Sequence, residues 1–402
     1  MQLSVADPSI RAGRSTVAPD CEFGPDVEIE ADELDIAPGC RIGFSDGDDF
    51  RTPPGVRISV RRLRLGAGVQ IGRAVSISGG DIVLDDGVRV LRNSTVRVTE
   101  SLTIGAYGTL NEGCEVSGRR VRIGQELWML PGAKIGGGSA FETESSLEMG
   151  HYVHVGVDSL INTARPVTIG HEVGLGTRTS IYTHGAYPSA LMGFPVAFDG
   201  VSIGDFSWLP GAIINPGVRI GRNCVVGVNS LVTRSLPDGC LAAGSPAKVI
   251  KEDAYPRVLS PDEQLDFYAR FFAHYARLLR TDGAPAVDPE ARRVTLSHGS
   301  VRFVAGPEDA DLAPALAEGG RVLAIGTGLT GESGGELPPD ATLFDTQSRR
   351  IRGAADGASQ RLANELRRHG IRFYSREDRT QPRRYVDWEA DVPQFLATAS
   401  PR

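Results

Sequence analysis

The chain of 402 residues is long enough to bury more than one core, so we expect at least two folded parts. Its 49 glycines and 25 prolines, with only 6% aromatic residues, indicate many tight turns and exclude a helix bundle. The net charge of −7, without a clustered basic stripe, argues against nucleic acid or a membrane surface as partner and favours a small molecule.

The cysteines and the N-terminus indicate the compartment. Five cysteines are scattered without close pairs, at Cys21, Cys40, Cys114, Cys224 and Cys240. The N-terminus does not combine a basic start, an apolar run and a cleavage site. No apolar stretch reaches the roughly 18 residues that a bilayer span requires. We therefore expect a soluble protein in the reducing cytoplasm.

Apolar residues recur at every sixth position through the middle of the chain, and glycine often follows them. The positions fall into runs: Val98, Ile104, Leu110 and Val116; Ile123, Met129, Ile135 and Phe141; Met149, Val155 and Ile161; Ile169, Leu175 and Ile181; and, after a gap, Ile203 and Leu209, then Ile214, Ile220, Val226 and Val232. A period of six fits neither an α-helix nor an alternating strand. It fits a coil of three short strands, each with one apolar residue inside a narrow prism. The pattern predicts a left-handed parallel β-helix in a mainly β protein.

The first quarter of the chain shows the same period less clearly, in pairs such as Ile36 and Ile42 or Leu65 and Ile71. We expect irregular early coils there, with an acidic loop from Phe44 to Pro54. For this part an inert scaffold is a fair interpretation.

The period breaks between Ile181 and Ile203, which stand 22 positions apart where one coil would use 18. The intervening sequence contains Pro188, Pro195 and several glycines, so it predicts a loop, residues 184–200, extruded from a coil corner. Function concentrates in such loops on rigid scaffolds. The period is also interrupted between Leu209 and Ile214, which are five positions apart instead of six.

After Lys251 the repeat ends and a helix is predicted. Ser260 is its expected N-cap, Pro261 its first residue, and Glu263 completes a capping box. One face is apolar, at Leu265, Tyr268, Phe271, Phe272, Tyr275, Leu278 and Leu279. A face of this kind must pack on something, and the simplest partners are the β-helix or a neighbouring subunit.

From about Arg292 the pattern predicts a small α/β domain, with several strands, a helix from Gly357 to His369 and a closing strand over residues 371–375. A turn-rich bridge before it reads as a linker. The expected domains are a β-helix over residues 1–252, a helical segment and linker over 253–284, and the α/β domain over 285–402.

His184 is the main catalytic candidate, because it follows the last regular repeat and opens the extruded loop. Most isolated histidines are structural or solvated. An imidazole at this place, however, can accept a proton from a hydroxyl or an amine while that group attacks an acyl thioester, and histidine titrates near neutral pH.

From Ile161 to Lys251 the chain resembles hexapeptide-repeat acyltransferases of the galactoside, maltose and nodulation-factor O-acetyltransferase type. The strings that carry the resemblance are TSIYTHG, VSIGDFSWLPGAIINPGVRIGRNCVVGVNSLVTRSLPDG and AAGSPAKVIK. The resemblance implies acetyl-CoA or another acyl-CoA as co-substrate, and a homotrimer with active sites between subunits.

Carried over by position, the resemblance implies a role for each matching residue. His184 would be the general base, and Asn162 and Tyr187 would contact the acceptor. The residues expected to line the pantetheine arm and the nucleotide end of CoA are Trp208, Gly211, Val228, Pro246, Ala247, Lys248 and Lys251. The lysines also suit this role physically, because a phosphate needs cations. An exposed charge at the end of a scaffold is their alternative interpretation.

Two other signals favour structural interpretations. His151, His154, His171 and His184 do not have the spacing of a three-histidine zinc site, so we expect no metal. The glycines from Gly326 to Gly331 match a dinucleotide fingerprint, but no helix can follow them, so they predict a plain loop.

The leading hypothesis is O-acetyl transfer from acetyl-CoA to a hydroxyl of a sugar or secondary metabolite, by direct attack on the thioester. The nearest alternative is N-acyl transfer to an amino sugar. A non-catalytic trimeric scaffold that binds a partner through its α/β tail also stays open.

Overall fold

The computed structural model describes residues 8–44, 55–281, 283–327, 337–354 and 356–373. The chain forms two compact units, Met1–Pro256 and Arg257–Arg402. The first is a parallel β-helix and the second a small sheet with three helices, so the predicted fold class is confirmed. Within the described ranges, no helix combines the length and apolarity needed to cross a bilayer.

The N-terminal coils of the β-helix, the upper coils, each consist of one long strand and one short strand. Their strands are β1 (Ser9–Val17), β2 (Glu22–Phe23), β3 (Val27–Ile36), β4 (Arg41–Ile42), β5 (Val56–Leu65), β6 (Gln70–Ile71), β7 (Ser76–Leu84), β8 (Arg89–Val90), β9 (Thr95–Ile104), β10 (Thr109–Leu110), β11 (Glu115–Ile123) and β12 (Trp128–Met129). Each long strand covers two sides of the prism. Where β5 bends between them, Arg61 and Arg62 are both exposed and interrupt the alternation.

The expectation of irregular early coils is wrong, because the long strands of neighbouring coils pair in parallel along most of their length, with register shifts at Gly79 and Gly118. β3 and β5, for example, are paired from Val27↔Val56 to Ile36↔Leu65. The bends lengthen these coils beyond 18 residues, which blurs a six-residue period in the sequence without disturbing the stacking. The predicted acidic loop lies, apart from Phe44, outside the described residues.

The lower coils use shorter strands with separate turns. They are β13 (Lys134–Ile135), β14 (Ser146–Met149), β15 (His154–Val155), β16 (Leu160–Ile161), β17 (Val167–Ile169), β18 (Gly174–Leu175), β19 (Ser180–Ile181), β20 (His184–Gly185), β21 (Ala197–Phe198), β22 (Val201–Ile203), β23 (Trp208–Leu209), β24 (Ile213–Ile214), β25 (Arg219–Ile220), β26 (Val225–Val226), β27 (Leu231–Val232), β28 (Leu241–Gly244) and β29 (Ala247–Lys251). β28 and β29 form an antiparallel hairpin at the lower end.

Three flat faces surround the apolar column of the lower coils. Face one contains β13, β16, β19, β24 and β27; face two contains β14, β17, β22 and β25; face three contains β12, β15, β18, β23, β26 and β28. Every residue of the predicted six-residue series is buried except Phe141, which is 44% exposed. Phe141 was placed wrongly because it lies in an inserted loop, residues 136–145, that the sequence pattern concealed.

Two insertions leave the β-helix at the same corner, between faces one and two. Ile135 and Leu147 are twelve positions apart across this corner, and Ile181 and Val201 are twenty apart. In the coil between them, Ile161 and Val167 are only six apart. An uninterrupted turn therefore lies between two loops, the upper loop (136–145) and the extruded loop (184–200).

Over its described residues, the second unit has a six-stranded sheet in sequential order and three helices. Its elements are α1 (Pro261–Leu279), β30 (Ala286–Asp288), β31 (Arg293–His298), β32 (Val301–Glu308), α2 (Asp309–Ala317), β33 (Arg321–Thr327), β34 (Ala341–Asp345), β35 (Arg350–Gly353) and α3 (Gly357–Arg368). Only the β32/β33 and β33/β34 pairs are parallel. Helix α2 and strand β35 were not predicted, and β30 lies inside the predicted linker.

Helix α1 begins as the sequence predicts, with the Ser260 hydroxyl accepting from the Glu263 amide and the Glu263 carboxylate accepting from the Ser260 amide. Its apolar face packs on β31 and β32 in the core of the second unit. The partners expected for it, the β-helix or another subunit, are wrong, because strands of the α/β domain that follows cover this face. Residues 371–373 form no strand, and the rest of the predicted closing strand lies outside the described residues.

Candidate active site

His184 stands at the root of the extruded loop. The loop closes as a short hairpin, because β20 and β21 pair antiparallel with His184 opposite Phe198. The two rings stack, with their centroids 5.7 Å apart and their planes at 19°. The imidazole is partly buried, whereas Tyr187 and Leu191 at the tip of the loop are almost fully exposed.

The tautomer of His184 follows from Asn162, one coil above, whose side chain is oriented by its own hydrogen bonds. Its Nδ2 donates to the carbonyl oxygens of Gly136 (3.3 Å) and Gly138 (3.0 Å), and its Oδ1 accepts from the Thr183 hydroxyl (2.6 Å). Nδ1 of His184 lies 3.0 Å from this Oδ1. Because an amide oxygen only accepts, Nδ1 must carry the proton, and Nε2 presents its lone pair.

The reactive nitrogen faces a glycine. A Cβ on Gly138 would lie 3.8 Å from both Nε2 and Cε1 of His184, in van der Waals contact. The absence of a side chain at this position of the upper loop therefore leaves room for a substrate atom beside Nε2. Geometry and tautomer together suit a general base.

A charged cluster flanks the imidazole. The Arg165 guanidinium lies over the Phe198 ring, 4.8 Å from its centroid. Its Nη1 is 2.7 Å from Glu142 Oε2 and its Nε is 2.9 Å from Glu144 Oε2. Arg165 thus connects the upper loop to the returning limb of the extruded loop.

The electrostatics of this cluster reach His184. Hydrogen bonds from Arg165 and Ser139 hold the pKa of the Glu142 carboxyl below its usual value, and the electrostatic interaction with His184 acts in the same direction. Glu142 is therefore ionised at neutral pH.

The residues predicted to bind CoA gather on another side of the β-helix. Trp208 projects from face three and is 56% exposed, and Gly174 lies next to it in register. A Cβ on Gly174 would come within 3.0 Å of the indole Cδ1, so the glycine provides space for the indole. Gly211, at a φ of 62°, and the exposed Val228 lie at the corner between faces three and one.

The lower end of face three carries the predicted nucleotide-binding residues. Leu241 is paired with Lys251, and Ala243 with Lys248, in the hairpin of β28 and β29. Both lysines are exposed, and Pro246 and Ala247 lie at the turn. Trp208 and the lysines therefore share one face, whereas His184 stands at the corner between the two other faces. A single chain does not bring these two groups together.

The two predicted acceptor residues differ in position. Asn162 is 3% exposed and its amide is engaged with the upper loop and His184, whereas Tyr187 is fully exposed at the loop tip. Their contacts with an acceptor stay predictions.

The remaining histidines of the β-helix have structural contacts. His151 and His171 stack with centroids 4.9 Å apart, and Nδ1 of each accepts a backbone N–H from the coil above, at 2.9 and 3.0 Å. In the part of the chain that the structure describes, no group of three potential ligands could hold a metal ion.

Sequence reasoning missed Gly138, Glu142, Arg165 and Phe198. The spacing gave no signal of the upper loop: Phe141 and Met149 are eight positions apart, but Ile161 and Ile169, on either side of the uninterrupted turn, are eight apart as well.

Comparison with known proteins indicates the family of this chain. No protein-family model matches the chain. A protein of Escherichia coli described as a colanic acid biosynthesis acetyltransferase, WcaF, is 33% identical over 132 residues, which cover 33% of this chain and 69% of WcaF. An acetyltransferase-like protein of Saccharomyces cerevisiae is 35% identical over 113 residues, 27% of this chain and 57% of its own length.

Among solved structures, a hexapeptide-repeat acetyltransferase of Vibrio cholerae in complex with acetyl-CoA matches with a TM-score of 0.28 and 24% identity, over 32% of this chain and 70% of that chain. The sequence match to WcaF shows the class: this chain belongs to the hexapeptide-repeat acetyltransferases. The matched segments are a third of the chain or less.

Proposed function

We propose that this protein transfers an acetyl group from acetyl-CoA directly to a hydroxyl of a sugar or secondary metabolite, with His184 as general base. The observation that carries the proposal is the His184 imidazole, whose Nδ1 is bound to Asn162 Oδ1 and whose Nε2 faces the open space beside Gly138. Membership of the family indicates the reaction class, and the contacts of His184 support its assignment as the base.

Acetyl-CoA would bring the acetyl group as an activated thioester. Nε2 of His184 accepts the proton of the acceptor hydroxyl while its oxygen attacks the thioester carbonyl. As the new C–O bond forms and the C–S bond breaks, the imidazolium returns the proton to the departing sulfur. Asn162 Oδ1 holds the ring in place throughout and stabilises its protonated form through the Nδ1–H bond.

The cysteines support direct transfer over an acyl-enzyme. Cys40, Cys114, Cys224 and Cys240 are buried, and burial raises the pKa of the Cys114 and Cys224 thiols to about 12. Such thiols are not ionised at neutral pH and are poor nucleophiles.

We further propose a homotrimer with active sites between subunits. His184 and the CoA-binding candidates lie on different sides of one β-helix, so a complete site needs His184 of one subunit and face three of another. Exposed Trp208 suits the pantetheine arm, and the two lysines at the end of face three suit the phosphates.

The first experiment measures CoA release by the purified protein with a panel of sugar and metabolite acceptors, and the mass of each product. His184→Ala should lower kcat by about 10²- to 10⁴-fold. The matched control is His298→Ala, in the second unit, which should keep full activity. Wild-type activity in His184→Ala would contradict the proposed base, and an amide product would assign N-acyl transfer.

The second experiment tests the shared site. Subunits with His184→Ala are co-assembled with subunits carrying both Trp208→Ala and Lys248→Glu, and the mass of the mixed trimers is checked by light scattering. Each parent should be nearly inactive, and mixed trimers should recover turnover because some interfaces contain only intact residues. Mixed trimers without recovery would show that the site lies within one subunit.

A further inference from the structure

Arg165 contacts three successive coils at the corner that carries His184. Its Nη1 donates to Glu142 of the upper loop and, at 2.7 Å, to the carbonyl oxygen of Ala164 in its own turn. Its guanidinium plane lies over Phe198 of the extruded loop, one coil below. The backbone N–H of Arg165 also donates to the Thr183 hydroxyl (3.2 Å), the group that orients Asn162.

We propose that Arg165 is a positioning residue for His184, which keeps Phe198 against the imidazole and limits the negative charge beside it. The inference rests on the proposed function, because it concerns the same base. It extends that function by assigning a task to the upper loop, whose two carboxylates pair with Arg165.

The geometry requires arginine specifically. Three separate contacts use different parts of one planar group: Nη1 binds Glu142, Nε binds Glu144 and the flat face covers Phe198. A lysine ammonium can keep the charge but cannot make the planar contact and both ion pairs at once. The Arg165 side chain is only 20% exposed, so these interactions are partly shielded from water.

The charge balance has a consequence for catalysis. The charged side chains on the elements around His184 are Glu142 and Glu144 on the upper loop, Arg165 in the turn and Asp199 on the returning limb. With Arg165 present, one carboxylate charge of the upper loop is cancelled. Without it, the Glu142 carboxylate would act on the imidazole without a compensating charge and favour the protonated form, which cannot accept a proton. Activity would then begin only at higher pH.

The test compares Arg165→Met, Arg165→Lys and the double variant Arg165→Met with Glu142→Gln, with Arg97→Met on the exposed side of β9 as control. Arg165→Met should lower kcat about tenfold to a hundredfold through a misplaced base, with an unchanged KM for acetyl-CoA. The acid limb of its pH–kcat profile should shift to higher pH by roughly half a unit to one unit. In the double variant, the acid limb should lie close to its wild-type pH again, whereas kcat should stay low.

Arg165→Lys should keep the wild-type acid limb while losing part of kcat, a separation that a merely structural role would not produce. An acid limb in Arg165→Met identical to wild type, with a kcat loss that only follows a lower Tm, would overturn the inference. The failure of the proposed function would appear separately, as full activity in His184→Ala.

A measurement independent of turnover completes the test. The His184 ring signal, assigned by its absence in His184→Ala, is titrated by NMR in the wild type and in Arg165→Met. We expect the ring to protonate at higher pH in the variant. Identical titration curves would overturn the inference even if no acceptor has been found.

Discussion

The upper and lower coils of the β-helix share one backbone plan and differ at their corners. In the upper coils, long strands run around one corner and pair on both sides of it, as β3 and β5 do from end to end. In the lower coils the strands are short, and the same corner opens into two loops around His184. The same kind of apolar column can therefore carry either a corner closed by a long strand or a corner whose loops surround a catalytic candidate.

The polar groups of the two regions have different tasks. In the upper coils, exposed charges of opposite sign alternate between coils: Arg62 lies 2.7 Å from Glu33 above and 3.7 Å from Asp81 below. In the lower coils, Asn162 and Thr183 are buried and hydrogen-bond to each other, and Asn162 is also hydrogen-bonded to His184. Surface pairs assist stacking, whereas the buried network orients a reactive group.

The largest effect should follow from a cavity in the upper column. Leu102 is completely buried in β9, so Leu102→Ala should lower the free energy of unfolding by about 3 kcal/mol. Denaturant unfolding measures this loss, and kcat of the folded variant should equal that of the wild type. A fully folded variant with reduced kcat would contradict the assignment of the upper coils as a scaffold separate from the site.

A buried polar change in the lower coils should act on catalysis. Asn162→Ala removes the acceptor of the His184 Nδ1 proton, so the ring can adopt the wrong tautomer or turn away. We expect kcat to fall about a hundredfold, with the KM for acetyl-CoA unchanged. If steady-state kinetics show a loss of acetyl-CoA affinity instead, Asn162 belongs to the cofactor side of the site.

The smallest effect should come from the charge ladder of the upper coils. A hydrogen bond from Arg61 lowers the pKa of the Asp81 carboxyl, so ionised Asp81 stabilises the fold above its ordinary pKa and loses this contribution as the pH falls below it. Asp81→Asn should therefore reduce Tm slightly at pH 7. The difference should shrink as the pH falls below the ordinary pKa and vanish only below the lowered pKa of the folded state, where the carboxylate is protonated in both states. A difference that persists in acid or in high salt would contradict an ionic origin.

The sequence alone determined the repeat, the break at His184 and the N-terminus of α1. These depend on local pattern: an apolar residue every six positions fills the prism, and a Ser260 to Glu263 box closes within one helical turn. The upper loop could not be predicted, because Phe141 follows Ile135 by six positions although its side chain lies outside the apolar column.

Only the tertiary structure decided how His184 is held. Asn162, Arg165 and Phe198 lie 22, 19 and 14 positions from it, and stacking of the coils brings them to one corner. Side chains on adjacent coils become neighbours through strand register, which depends on the length of every insertion between them. The sequence thus determines a column of coils by local periodicity, whereas the orientation of the base depends on contacts between coils.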